Sequence, residues 1–155
     1  MILETLHEIQ LLPVSIHEAW RFFSDPQNLC DLTPPSLNFE VMSALPEKMY
    51  PGMIITYRLT PLLNISRQWI TEITHVVAPH LFVDEQRFGP YRFWHHQHLF
   101  RELEGGVEMQ DLVHYALPYG VLGRLAAAHL VRQELRHIFA FRREVLAKRF
   151  GTLAR

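Results

Sequence analysis

A chain of 155 residues is the size of one domain and too short for two of ordinary size. Apolar residues make up 48% and charged residues 20%, which is too hydrophobic for a disordered chain, and the formal net charge of −1 provides no global field toward nucleic acid or an anionic membrane. The lone Cys30 excludes an intramolecular disulfide and a multi-cysteine metal site, and suits a reducing compartment.

The opening MILETLHEIQLLP breaks its apolar residues with Glu4 and Glu8 and lacks a cationic lead-in, so it does not read as a signal peptide. No apolar run approaches the roughly 20 residues that span a bilayer. A cytoplasmic protein without stable membrane insertion is expected. Residues 3–12 alternate loosely and predict a strand that Pro13 ends. Ser15-Ile16-His17-Glu18 then matches a capping box, which starts a helix. Asp25-Pro26 closes that helix and opens another, and Thr33-Pro34-Pro35 stops the second.

From about 37 to 117 the hydrophobic period is two. Strands are expected at 37–44, 52–60, 65–77, 80–88, 93–104 and 107–117, separated by turn signals at Pro51-Gly52, Pro61, Ala78-Pro79, Gly89-Pro90 and Gly105-Gly106. Short links between six strands imply an antiparallel meander. After Pro118-Tyr119-Gly120 the period becomes helical, with Val121, Leu125, Ala128, Val131, Leu135, Ile138 and Val145 on one stripe and Gly151 as the stop. The order predicts an α+β fold: a curved seven-stranded antiparallel sheet wrapped around a long C-terminal helix, with two short helices after strand 1. Ala126, Ala127 and Ala128 are small enough to leave a hollow between helix and sheet.

The stretch FGPYRFWHHQHLF concentrates three histidines among aromatic side chains. Alternation puts Trp94, His96, His98 and Phe100 on one face, and burial of Trp and Phe, at about 25 cal/mol per Å² of apolar area, turns that face inward. The same reasoning turns Met109, Asp111, Val113 and Tyr115 inward on the next strand, Phe82, Asp84, Gln86 and Phe88 on the one before, and Trp69, Thr71 and Ile73 on the one before that. An inner wall so rich in polar groups must pair them with one another, with water or with a ligand, because each unpartnered one costs about 1–3 kcal/mol. A closed Asp–His–Tyr network that only stiffens the sheet and a polar floor that contacts a ligand are both open.

His-x-His can offer two nitrogens to one ion, with Asp84 or Asp111 as an oxygen ligand, but such short matches arise often by chance and no metal is expected. Cys30 has no positional tie to the histidines and reads as a packed thiol. There is no glycine-rich phosphate loop, and no cofactor is expected. Arg124, Arg132, Arg136, Arg142, Arg143, Lys148 and Arg149 read as a basic outer face of the last helix. With the aromatics inside rather than between those cations, nucleic acid is not an expected partner.

Four segments carry a family likeness: LPVSIHEAWRFFSDPQNLCDLTPP (12–35), FVDEQRFGPYRFWHHQHLF (82–100), MQDLVHYALPYG (109–120) and the long closing helix. Over nearly its whole length the chain resembles the START-like superfamily (SRPBCC, polyketide cyclase/dehydrase-like), which has the helix-grip fold. The D-x-Q, G-P and W-x-H-x-H-x-F pattern is similar to a small single-domain bacterial subgroup, so 1–155 is expected to be one START-like ligand-binding domain. The resemblance implies a pocket between sheet and helix for a hydrophobic or amphipathic small molecule, such as a lipid, polyketide or other aromatic ligand. It does not imply a reaction.

On this reading Trp69, Phe82, Asp84, Gln86, Trp94, His96, His98, Phe100, Met109, Asp111 and Tyr115 are the candidate ligand-binding residues of a non-catalytic binding protein. The alternative is an enzyme of the cyclase or dehydratase kind. There His96 or His98 is the general base, Asp84 or Asp111 orients it, and Tyr115 donates to a developing enolate oxygen. A homodimer is compatible with either.

Overall fold

The computed structural model describes residues 2–60, 66–118 and 121–153, with 121–127 described by their backbone alone. The elements are β1 (Glu4–Leu12), α1 (Ile16–Phe23), α2 (Asn28–Asp31), a 3₁₀ turn (Pro35–Leu37), β2 (Glu40–Val41), β3 (Met53–Leu59), β4 (Arg67–Val77), β5 (Leu81–Phe88), β6 (Phe93–Leu103), β7 (Gly106–Ala116) and α3 (Val121–Phe150). All strands join one antiparallel sheet in the order β1-β7-β6-β5-β4-β3-β2, so the meander holds and β1 closes its far edge beside β7. α3 has 30 residues, about 45 Å at 1.5 Å per residue.

Local chemistry explains the boundaries. Ser15 caps α1, its hydroxyl accepting from Glu18 N at 3.2 Å. Asp25 Oδ1 accepts from Gln27 N at 3.0 Å and turns the chain into α2, whose cap position is Gln27 rather than Asp25. Gly151 adopts φ +90° and its N–H bonds Ala147 O at 2.9 Å, ending α3 as expected. The expected helix start at Tyr119-Gly120 and the turn at Pro61 lie outside the described residues.

Two strand expectations need correction. The strand expected at 37–44 is only the two residues of β2, because Asn38 takes φ 43° and Ser43 Oγ, rather than a backbone carbonyl, receives Thr56 N. Phe88 faces solvent at 61% exposure instead of joining Asp84 and Gln86. The cause is a register shift: Thr71 pairs with Gln86 but Ile70 pairs with Phe88, so Arg87 is an extra residue and the alternation flips past it.

The inner face of the sheet packs in three clusters. One joins Ile16, Ala19, Phe22 and Phe23 of α1 to Phe82, Phe100, Met109 and Leu146. A second joins Trp94, Val113, Tyr115 and Leu117 to Ala128, Leu135 and Phe139 of α3. A third lies on β3 and β4 around Met53, Ile55, Tyr57 and Ile73.

At the β6–β7 hairpin the chain comes too close to β1 for any side chain. A Cβ on Gly106 would sit 2.2 Å from Leu12 O and 2.4 Å from Leu153 Cδ1. Because a backbone oxygen cannot swing aside, Gly106→Ala is expected to lower stability by about 1–3 kcal/mol. Chemical denaturation checks this, and an unchanged midpoint would contradict the close approach.

Candidate functional site

β5, β6 and β7 lie side by side, with Asp84 opposite His96 and His98 opposite Asp111. This register brings four titratable side chains into one closed circuit. Asp84 Oδ2 lies 2.8 Å from His98 Nε2 and 3.3 Å from His96 Nδ1. Asp111 Oδ1 lies 2.9 Å from His96 Nε2 and 3.1 Å from His98 Nδ1. The imidazoles face each other with centroids 3.8 Å apart, and Phe82 stacks on His98 at 4.0 Å. Trp94 Nε1 donates to Asp84 Oδ1 at 3.2 Å. From α3, Arg142 Nη2 donates to Asp111 Oδ1 at 3.1 Å, with its guanidinium 5.2 Å from the centre of the Phe23 ring.

The geometry is uneven. The Asp84–His98 and Asp111–His96 contacts are hydrogen bonds, whereas His98 Nδ1 is off the line a hydrogen bond needs and has no such partner among the described residues. Burial alone would neutralise every member, but their mutual attraction reverses this for three of them. Burial pushes Asp111 up, yet Arg142 and the two imidazoles outweigh it and hold its carboxyl far below the usual range. Asp84 is likewise held down against burial by His96 and His98. For His98 the two carboxylates overcome desolvation and raise its pKa, while for His96 desolvation and the neighbouring His98 win and lower it. Two carboxylates and one guanidinium leave one negative charge, which a single proton on the histidine pair balances.

Above this circuit, between sheet and α3, is a cavity of about 480 Å³. Its wall draws on all three clusters: Phe22, Phe23 and Phe82; Trp94, Leu117, Leu135 and Phe139; Ile55, Tyr57 and Ile73. Of the residues expected from the sequence, Trp69, Phe82, Asp84, Trp94, His96 and His98 line it. Trp69 Nε1 is a buried donor with no hydrogen-bond partner among the described residues.

The other candidates are held elsewhere. Phe100 and Met109 pack in the α1 cluster. Gln86 clamps the following turn, donating to Tyr91 O at 2.7 Å and accepting from Tyr91 N at 3.2 Å, across a Gly89 that leaves it room. Asp111 sits behind the histidines beside a separate void of about 10 Å³. Tyr115 gives its hydroxyl to Glu4 at 3.0 Å, and burial together with that carboxylate pushes its pKa up to about 12. It does not border the cavity, so the acid–base alternative keeps its His–Asp pairs and loses its proposed enolate donor.

Sequence reasoning placed Arg142 on the outer face, and that is wrong: it is 5% exposed and lines the cavity. The signal was present, since Arg142 lies three residues after Phe139 and four before Leu146, on the buried stripe. Arg132 and Arg143 are surface cations, but they tie α3 to β1 through Glu4 at 2.7 Å and through Glu8. Tyr57, Tyr91 and Phe139 also line the cavity without having been singled out, beside Leu135 of the expected helix stripe. Arg124 lies outside the described side chains. No helix among the described residues is long and apolar enough to cross a membrane.

No family model and no curated protein matches the chain. Solved structures are similar over nearly its whole length. CV1439 from Chromobacterium violaceum has a TM-score of 0.71 at 14% identity, covering 97% of this chain and 99% of that one. Ms6760 from Mycobacterium smegmatis has a TM-score of 0.65 at 18% identity, covering 94% of each chain. Ara h 8.0201 has a TM-score of 0.65 at 12% identity, covering 95% of this chain and 99% of that one. Identities this low carry the fold alone, and together with the seven-stranded antiparallel sheet and the long closing helix they make this chain a helix-grip fold.

Proposed function

We propose that this chain is a START-like, cytoplasmic binding protein that takes one hydrophobic or amphipathic small molecule, a lipid, polyketide or other aromatic compound, between sheet and α3. The observation that carries the reading is the cavity itself. Its volume of about 480 Å³ falls within the roughly 300–1,000 Å³ of small-molecule sites, and apolar side chains dominate its wall. The apolar area supplies affinity. The His–Asp floor and the buried Trp69 N–H supply orientation for an oxygen-bearing end of the ligand, since a buried polar group is stabilised by any partner that reaches it.

The test is native mass spectrometry of protein purified from its own host, followed by organic extraction. A small molecule that co-purifies at up to one per chain and leaves on denaturation is the expected result. Failure to find one, together with failure of fatty acids, sterols and aromatic polyketides to displace a fluorescent apolar probe, would remove the proposal.

A further inference from the structure

We propose that Asp84, His96 and His98 form a three-ligand site for one divalent transition-metal ion on the cavity floor, with Asp111 orienting both imidazoles. One nitrogen of each ring and a carboxylate oxygen of Asp84 all lie within 4.8 Å of one another. Asp84 Oδ2 lies 3.3 Å from His96 Nδ1 and 2.8 Å from His98 Nε2, so a single ion in reach of those two nitrogens is also in reach of that oxygen. Bonds of about 2.0–2.2 Å place ligand atoms roughly 3.3 Å apart in a tetrahedron, against 3.3 Å and 2.8 Å from Asp84 Oδ2 to the two nitrogens and no more than 4.8 Å between any two of the three atoms.

A His-x-His spacing with a nearby acid carries little by itself. The outer partners carry the rest. A metal-binding imidazole needs its other nitrogen protonated and facing an acceptor. Here Asp111 Oδ1 faces the other nitrogen of both rings, at 2.9 Å from His96 Nε2 and 3.1 Å from His98 Nδ1. Metal on His98 Nε2 fixes a proton on Nδ1, the buried nitrogen that otherwise has no hydrogen-bond partner and that lies 3.1 Å from Asp111 Oδ1. Trp94 holds Asp84's second oxygen, leaving Oδ2 for the ion. All three ligands border the cavity, which leaves the ion's remaining positions open to it. Two imidazoles and one carboxylate with open positions suit Zn²⁺ or non-haem Fe²⁺.

The site shares the cavity of the proposed function but does not depend on its occupant, so the test uses metal alone. Full-length protein freed of metal by a chelator is titrated with Co²⁺, read by visible absorption, and with Zn²⁺, read by calorimetry. The expected result is one ion per chain, with the intense absorption of low-coordinate cobalt that Zn²⁺ then displaces. Asp111→Asn should weaken binding by about 10–100-fold, and Asp84→Asn and His98→Gln, which remove a ligand atom itself, should each weaken it by more than Asp111→Asn does. His95→Ala and His114→Ala, at the pair facing the other side of the sheet, should leave it unchanged. Absence of saturable uptake by the wild-type chain overturns the proposal without any variant having to fold. So does uptake that survives both Asp84→Asn and His98→Gln, or that disappears with His95→Ala. Ligand binding is read separately by mass spectrometry and probe displacement, so either result can fail while the other stands.

Discussion

Replacing Asp111 with alanine in the metal-free protein is expected to cost about 3–5 kcal/mol, a fall in Tm of about 6–20 °C. The substitution does not merely remove a contact. It leaves the Arg142 guanidinium, 5% exposed and held against Phe23, without its carboxylate, and leaves His96 Nε2 without its hydrogen-bond partner. A buried charge stripped of its partner carries nearly its whole desolvation penalty, which is why breaking such a pair costs more than the pair contributes. Pairing Asp111→Ala with Arg142→Met should recover much of the loss, and a double-mutant cycle measures how much.

The same carboxylates set an acid limb. Asp111 and Asp84 are held below their ordinary range, so their contribution is present above the unfolded-state pKa of about 3.9 and is lost as pH falls through the folded values. Wild-type stability should therefore drop below about pH 4. The Asp111→Ala variant should lose less over that interval. Equal acid sensitivity of the two proteins would show that Asp111 is not the group being titrated.

The order of elements and the inward turn of β6 and β7 were legible because period-two alternation anchored by Trp94 and Phe100 has one low-energy solution. The same rule failed at Phe88, where a single extra residue reverses every side chain beyond it, and bulges leave no trace in composition. Alternation also could not separate wall from filling. His96, His98 and Phe100 all face inward, yet only the histidines border the cavity, because α1 lies over Phe100 and fills that end with Phe22 and Phe23. That distinction depends on where a helix docks, a long-range fact absent from a strand's own pattern. Arg142 was misread for a different reason: charge was weighed before spacing, although its distance from Phe139 and Leu146 assigned it to the buried stripe.

A second large effect follows from the room that remains. Ile138 lies on α3, half-buried, where it lines the cavity and packs against the Leu135–Phe139 cluster. In a filled core, enlarging such a residue forces neighbours off their rotamers at about 1–3 kcal/mol. Here the added indole of Ile138→Trp can extend into the cavity of about 480 Å³, gaining apolar contact instead of strain. The fold should therefore tolerate it, with Tm changed by no more than about 4 °C, equivalent to about 1 kcal/mol for a domain of this size. A bound molecule would lose the volume that the indole takes, so probe affinity should fall at least tenfold, about 1.4 kcal/mol. The two readings respond in opposite ways: if the void is a binding site, stability holds while affinity drops, and if the helix settles onto the sheet in solution so that no void exists, stability falls and no probe binding is there to lose. Parallel thermal unfolding and probe titration of the variant and the parent distinguish these outcomes.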